Sequence, residues 1–73
     1  MFVYPNPVKD ILRVNLPEAE CQLALFSLSG RMVCQQMARG SEYELNMADL
    51  QEGVYILRVR GNGISQTIKV IKK

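Results

Sequence analysis

Histidine and tryptophan are both absent from this chain of 73 residues. The first absence removes the commonest general base, nucleophile activator and transition-metal ligand together. The second, with only three tyrosines and two phenylalanines, leaves a poor stacking platform for sugars or bases. No apolar run approaches the ~20 residues of a membrane-spanning helix, and Met1-Phe2-Val3 is far too short for a secretory signal. There is no internal repeat and no low-complexity tract. A chain of this length has room for one small core and little surplus for a deep cleft. No catalytic role, no cofactor and no metal are expected.

Net charge is equally uninformative of nucleic acid. Nine Lys and Arg against seven Asp and Glu give +2, too mild for a phosphate-binding face. The distribution carries more. Arg58, Arg60, Lys69, Lys72 and Lys73 close the chain with no acid among them, just after the acidic cluster Glu42, Glu44, Asp49 and Glu52. Such charge reads either as solvated strand faces or as a basic C-terminal edge that a partner recognises.

What is present alternates with period two. Leu12, Val14 and Leu16 alternate with Arg13 and Asn15; Tyr43, Leu45 and Met47 with Glu44 and Asn46; Tyr55, Leu57 and Val59 with Ile56, Arg58 and Arg60; Ile68 and Val70 with Lys69 and Ile71. The run 21–28 is apolar on both faces, as a central strand is. These are β patterns. Strands are predicted near 2–4, 9–16, 21–28, 31–37, 42–47, 53–60 and 64–71, and seven short strands at that spacing point to an all-β, small Ig-like antiparallel β-sandwich. The chain is a single domain over 1–73, with 1–8 as junction and first edge strand and 9–73 as the sandwich body.

The breaks have turn chemistry. Pro17 with Glu18 ends the second strand, Arg39-Gly40-Ser41 makes a loose turn, and Gly61-Asn62-Gly63 supplies positive-φ residues. A two-residue loop at Ser29-Gly30 pairs Leu28 with Arg31, Leu25 with Cys34 and Cys21 with Ala38. That register sets Cys21 and Cys34 about 13 Å apart, beyond disulfide reach. Two free thiols acting as small hydrophobes are expected. In Asp49-Leu50-Gln51-Glu52-Gly53-Val54-Tyr55, a tyrosine lies two residues past a Gly-containing corner. This is the pattern of a tyrosine corner, whose phenol bonds back to upstream main chain. Leu50 would plug the open end, and Gly53 would permit the bend.

The search for chemistry is otherwise nearly empty. Glu18 and Glu20 read as solvated loop charge, Asp49 and Glu52 match no calcium loop, and Cys21 and Cys34 lack an activating partner. Met32, Met37 and Met47 read as core fillers. The informative residues are terminal. Tyr4-Pro5-Asn6-Pro7 is a stiff lead-in poor in hydrogen bonds, of the extended kind a protease binds. The final strand pattern runs through Lys69-Val70-Ile71-Lys72-Lys73 with almost no tail, suited to strand addition or end capture.

Tyr4-Pro5-Asn6-Pro7, Leu12-Arg13-Val14, Leu28-Ser29-Gly30-Arg31, Leu50 with Gly53-Val54-Tyr55-Ile56-Leu57-Arg58-Val59, and Lys69 to Lys73 stand in order across residues 4 to 73. Together they resemble the C-terminal sorting domain, type A, of proteins exported by the type IX secretion system (Por secretion) of Bacteroidetes. The resemblance implies a non-catalytic secretion and sorting signal behind an upstream cargo in the same polypeptide. It implies recognition by the type IX translocon and shuttle proteins, with a sortase-like surface peptidase as a further partner. Transit would run through the periplasm and across the outer membrane to the cell surface or the medium. By motif, Tyr4, Pro5, Asn6 and Pro7 form the junction, Gly30, Leu50, Gly53 and Tyr55 define the fold, and Lys69, Val70, Ile71, Lys72 and Lys73 form the recognition strand. Two other classes compete: a carbohydrate-binding or adhesive β-sandwich using Phe2, Tyr4, Phe26, Tyr43 and Tyr55, and a homo-oligomer built through edge strands.

Overall fold

The computed structural model describes residues 3–16, 20–61 and 63–73. Among these residues there is no helix. Seven strands follow in order: β1 (Val3–Tyr4), β2 (Ile11–Asn15), β3 (Cys21–Ser27), β4 (Met32–Ala38), β5 (Glu42–Asn46), β6 (Gly53–Gly61) and β7 (Ile64–Lys72). They form a three-stranded sheet ordered β1-β2-β5 and a four-stranded sheet ordered β4-β3-β6-β7, with every strand pair antiparallel. The fold is the all-β sandwich that the alternation predicts. The expected roles of Met1, Phe2, Pro17, Glu18 and Asn62 lie outside the described residues.

The core is the inward half of each alternating strand. Leu12 and Val14 from β2 and Leu45 from β5 face Cys21, Leu23 and Leu25 from β3, Tyr55, Leu57 and Val59 from β6, and Val70 from β7. Successive strand side chains point to opposite faces, so one correct register buries the whole set. β3 lies between β4 and β6, and Ala24 on its outer face is buried as well, which accounts for a run apolar on both sides. Removing this much apolar surface from water, at roughly 25 cal/mol per Å², is what offsets the ordering of the chain.

Three local expectations need correction. The β3–β4 loop holds three residues, Leu28-Ser29-Gly30, not two. Gly30 donates to the Ser27 carbonyl at 2.9 Å and Ser27 to the Arg31 carbonyl at 2.8 Å, while Gly30 takes φ +91°. These bonds close a three-residue turn between Ser27 and Arg31 whose last residue has positive φ, and a register irregularity between Leu25 and Phe26 absorbs the extra residue. Leu25–Cys34 and Cys21–Ala38 still pair as expected, and both cysteines are free, Cys21 buried and Cys34 half-buried.

Second, of the methionines assigned to the core only Met47 is buried; Met32 is 45% and Met37 59% exposed. Both sit on β4, an edge strand, opposite Phe26 and Gln22 on the outward face of β3. Third, the segment before residue 9 is not merely a lead-in. Val3 packs against the core and Val8 lies within it.

Candidate functional site

The corner between the two sheets is built around Tyr55. The chain leaves β5 in one sheet and enters β6 in the other. Asn46 Oδ1 accepts from the Ala48 amide at 2.9 Å, and Leu50 donates its amide to the Met47 carbonyl at 3.1 Å. The Tyr55 hydroxyl then donates to the Gln51 carbonyl at 2.7 Å. Leu50 packs on the core, and Gly53 takes φ +151°, a backbone state that L side chains rarely adopt. This is a tyrosine corner in the geometric sense, with Gly53, Leu50 and Tyr55 in one structural unit. Gly30 lies elsewhere, in the β3–β4 turn.

The two terminal motifs, which read in sequence as opposite ends of the domain, meet. β7 is the edge of the four-stranded sheet, and the segment after β1 runs along the outside of its last turn of pleat. Asn6 donates its side-chain Nδ2 to the Lys69 carbonyl at 3.0 Å and accepts the Ile71 amide on Oδ1 at 3.0 Å. Val8 donates to the Ile71 carbonyl and accepts from the Lys73 amide, both at 2.8 Å, forming a parallel bridge between Val8 and Lys72. The expectation of a lead-in poor in hydrogen bonds is therefore corrected. Pro5 and Pro7 have no amide to give, but the Asn6 side chain supplies a donor and an acceptor in the place of main chain.

Within Lys69–Lys73 the five residues differ sharply. Val70 is core, Lys69 and Lys73 are exposed, and Ile71 is outward-facing. Lys72 is only 8% exposed, with its Nζ donating to the Lys73 carbonyl at 3.0 Å. Tyr4, on the opposite sheet, donates its hydroxyl to Glu42 Oε2 at 3.1 Å, and that carboxylate holds the phenol above its ordinary pKa. Sequence reasoning marked Asn6 but missed its partners, because a contact across 65 positions leaves no local signal.

The outward faces of the two sheets carry opposite charge. By register the three-stranded sheet presents Arg13 beside Glu42 and Glu44, with Arg13 Nη1 at 2.5 Å from Glu44 Oε2 and 3.7 Å from Glu42 Oε1. The four-stranded sheet presents Arg58, Arg60 and Lys69, with the Arg58 guanidinium 4.8 Å above the Phe26 ring and no acid on that face among the described residues. Arg39 pairs with Glu20 at the end of β3 and β4 opposite their loop, beside the Cys21–Ala38 pair. Among the described residues the aromatics form no platform: Tyr55 is buried, Tyr43 packs on the core, Phe26 lies under Arg58, and Tyr4 stands on the other sheet.

Fold and corner define the class, a small Ig-like antiparallel sandwich with a core of its own. The chain belongs to the family of secretion system C-terminal sorting domains, whose model matches residues 2–73, as its resemblance to type IX sorting domains implies. No curated protein matches it. Among solved structures it is similar to a chain of PorZ, described as an essential bacterial surface component of the type-IX secretion system of Porphyromonas gingivalis. The two share 25% identity with a TM-score of 0.83, over 99% of this chain and 11% of that one. The chain thus spans about a tenth of the length of the PorZ chain it matches.

Proposed function

We propose that this sandwich is a non-catalytic address: the type IX translocon and its shuttle proteins recognise it and carry an upstream cargo in the same polypeptide across the outer membrane. Its route runs through the periplasm to the cell surface or the medium. The observation that carries this reading is the family match across the whole sandwich, from the junction motif to the last strand. Likeness to a surface component of the same secretion system supports it. An address shared by unrelated cargoes must fold by itself and be read without chemistry. The chain has its own core, and Lys69, Ile71 and Lys73 offer an outward-facing part of the terminal strand. Tyr4 to Pro7 forms the junction with cargo, and a sortase-like surface peptidase is a further partner. Copies of the chain would pair through exposed edge strands; sedimentation tests this.

A reporter fused ahead of residues 4–73 and followed to the cell surface tests the address. Deleting Lys69–Lys73 also removes the core residue Val70, so the sharper variant is Lys69→Glu with Lys73→Glu, both exposed positions. Reporter stranded in the periplasm is the expected result. Unimpaired export of that folded variant would remove the terminal strand's charge from the recognition reading, and a wild-type domain that exports nothing would end the address reading itself.

A further inference from the structure

The outer edge of β7 is only half covered. The four bonds from Asn6 and Val8 engage Lys69, Ile71 and Lys73, so the odd-numbered residues of β7 turn their main-chain groups away from β6. Antiparallel pairing alternates with period two, so Ser65 and Thr67 turn their amides and carbonyls outward too. No strand of the described residues lies beyond them. β7 pairs with β6 in unbroken register from Gly61–Ile64 to Gly53–Lys72, without the bulge or proline that usually blunts an edge. The other edge of this sheet, β4, does carry such an irregularity.

Charge says what would fit there. Ser65 and Thr67 are short, and they stand between two exposed cations on the same face, Arg60 across from Ser65 and Lys69 one outward position beyond Thr67. Neither cation has a carboxylate within ion-pair distance among the described residues. On the inward face the half-buried Ile68 offers an apolar neighbour.

We propose that the β7 edge from Ser65 to Lys69 docks an extended segment of a partner protein, with acidic residues facing Arg60 and Lys69 and apolar ones facing Ile68. The Asn6–Val8 segment is the same mode of pairing made in cis, and it sets where the open stretch ends. Strand addition draws affinity from main-chain bonds and specificity from alternate side chains, which suits a reader of many cargoes. The inference rests on the sorting reading for the identity of the partner, a component that handles the domain during export.

The test is done in solution with the isotope-labelled chain and two synthetic probes, acetyl-Glu-Val-Thr-Val-Glu-amide and its counterpart with lysine for glutamate. Saturable amide shifts at Ser65, Thr67 and Lys69 are expected with the acidic probe, about tenfold weaker with the basic one, as charge complementarity dictates. Thr67→Pro removes one outward amide while leaving the bonds to β6, and the shifts should vanish. Arg60→Glu with Lys69→Glu, surface changes that leave the core intact, should reverse the preference between probes. No shifts, shifts away from β7, equal response to both probes, or an unchanged preference in the charge-reversed chain overturns the proposal. Failure of reporter export would count against the address reading and leave this solution result standing.

Discussion

The Asn6 side chain accepts the Ile71 amide at 3.0 Å across 65 positions of sequence, joining the junction motif to the closing strand. Its Nδ2 simultaneously holds the Lys69 carbonyl, so one amide bridges successive outward groups of β7. Asparagine is the smallest residue able to do both; aspartate keeps the acceptor and loses the donor. Asn6→Ala should cost about 1–3 kcal/mol, the sum of two modest hydrogen bonds, and Asn6→Asp less. Urea unfolding gives the cost, and faster hydrogen exchange at the Ile71 amide in Asn6→Ala, but not in Asn6→Asp, locates it.

At the sheet-to-sheet corner, the Tyr55 ring is buried and only its hydroxyl works locally, on the Gln51 carbonyl. Tyr55→Phe keeps the packing and removes the bond. A loss of about 0.5–1.5 kcal/mol in chemical unfolding is expected. A change well below that range would reduce Tyr55 to an ordinary core ring.

Gly61 and Cys21 pair between β6 and β3 so closely that a Cβ on residue 61 would lie 2.8 Å from Cys21 Sγ and 3.0 Å from the Glu20 carbonyl. Gly61→Ala should destabilise by about 1–3 kcal/mol, the usual range for overpacking. Adding Cys21→Ala removes the nearer obstacle, so the double variant should lose less than the sum of the two single ones. Strict additivity in thermal or urea unfolding would mean that the carbonyl alone sets the limit.

Burial raises the Cys34 thiol above its ordinary pKa, and the hydrogen bond with Leu25 main chain only partly opposes this. The fold therefore favours the neutral thiol. Its contribution to stability is intact below the unfolded thiol's value and is lost as pH rises through the folded one. Iodoacetamide should modify Cys34 in the native chain with a rate inflection at higher pH than in the urea-unfolded chain. Coincident inflections would show that the half-buried site does not disfavour the thiolate.

Much of this molecule is written in short-range pattern. Leu12, Val14, Leu45, Leu57, Val59 and Val70 are core because their alternation leaves one face to bury. Tyr55 was legible as a corner residue because its acceptor, Gln51, lies four positions upstream. Where the sequence misled, competing local solutions had nearly equal merit. Ser29-Gly30 suits a two-residue loop as well as the three-residue turn that forms, and Met32 and Met37 are apolar enough for a core that their edge strand never reaches.

Sequence by itself determined the all-β class, the number of strands and the central place of β3, since side-chain period and turn chemistry are properties of neighbours along the chain. Tertiary structure alone decided that Asn6 and Val8 lie on β7, and that Glu42 and Glu44 stand on one sheet while Arg58, Arg60 and Lys69 stand on the other. Those outcomes depend on which strands become edges and which ends of the chain close on one another. Nothing in a residue's near neighbours encodes that, because only packing two sheets over one core brings such distant positions together.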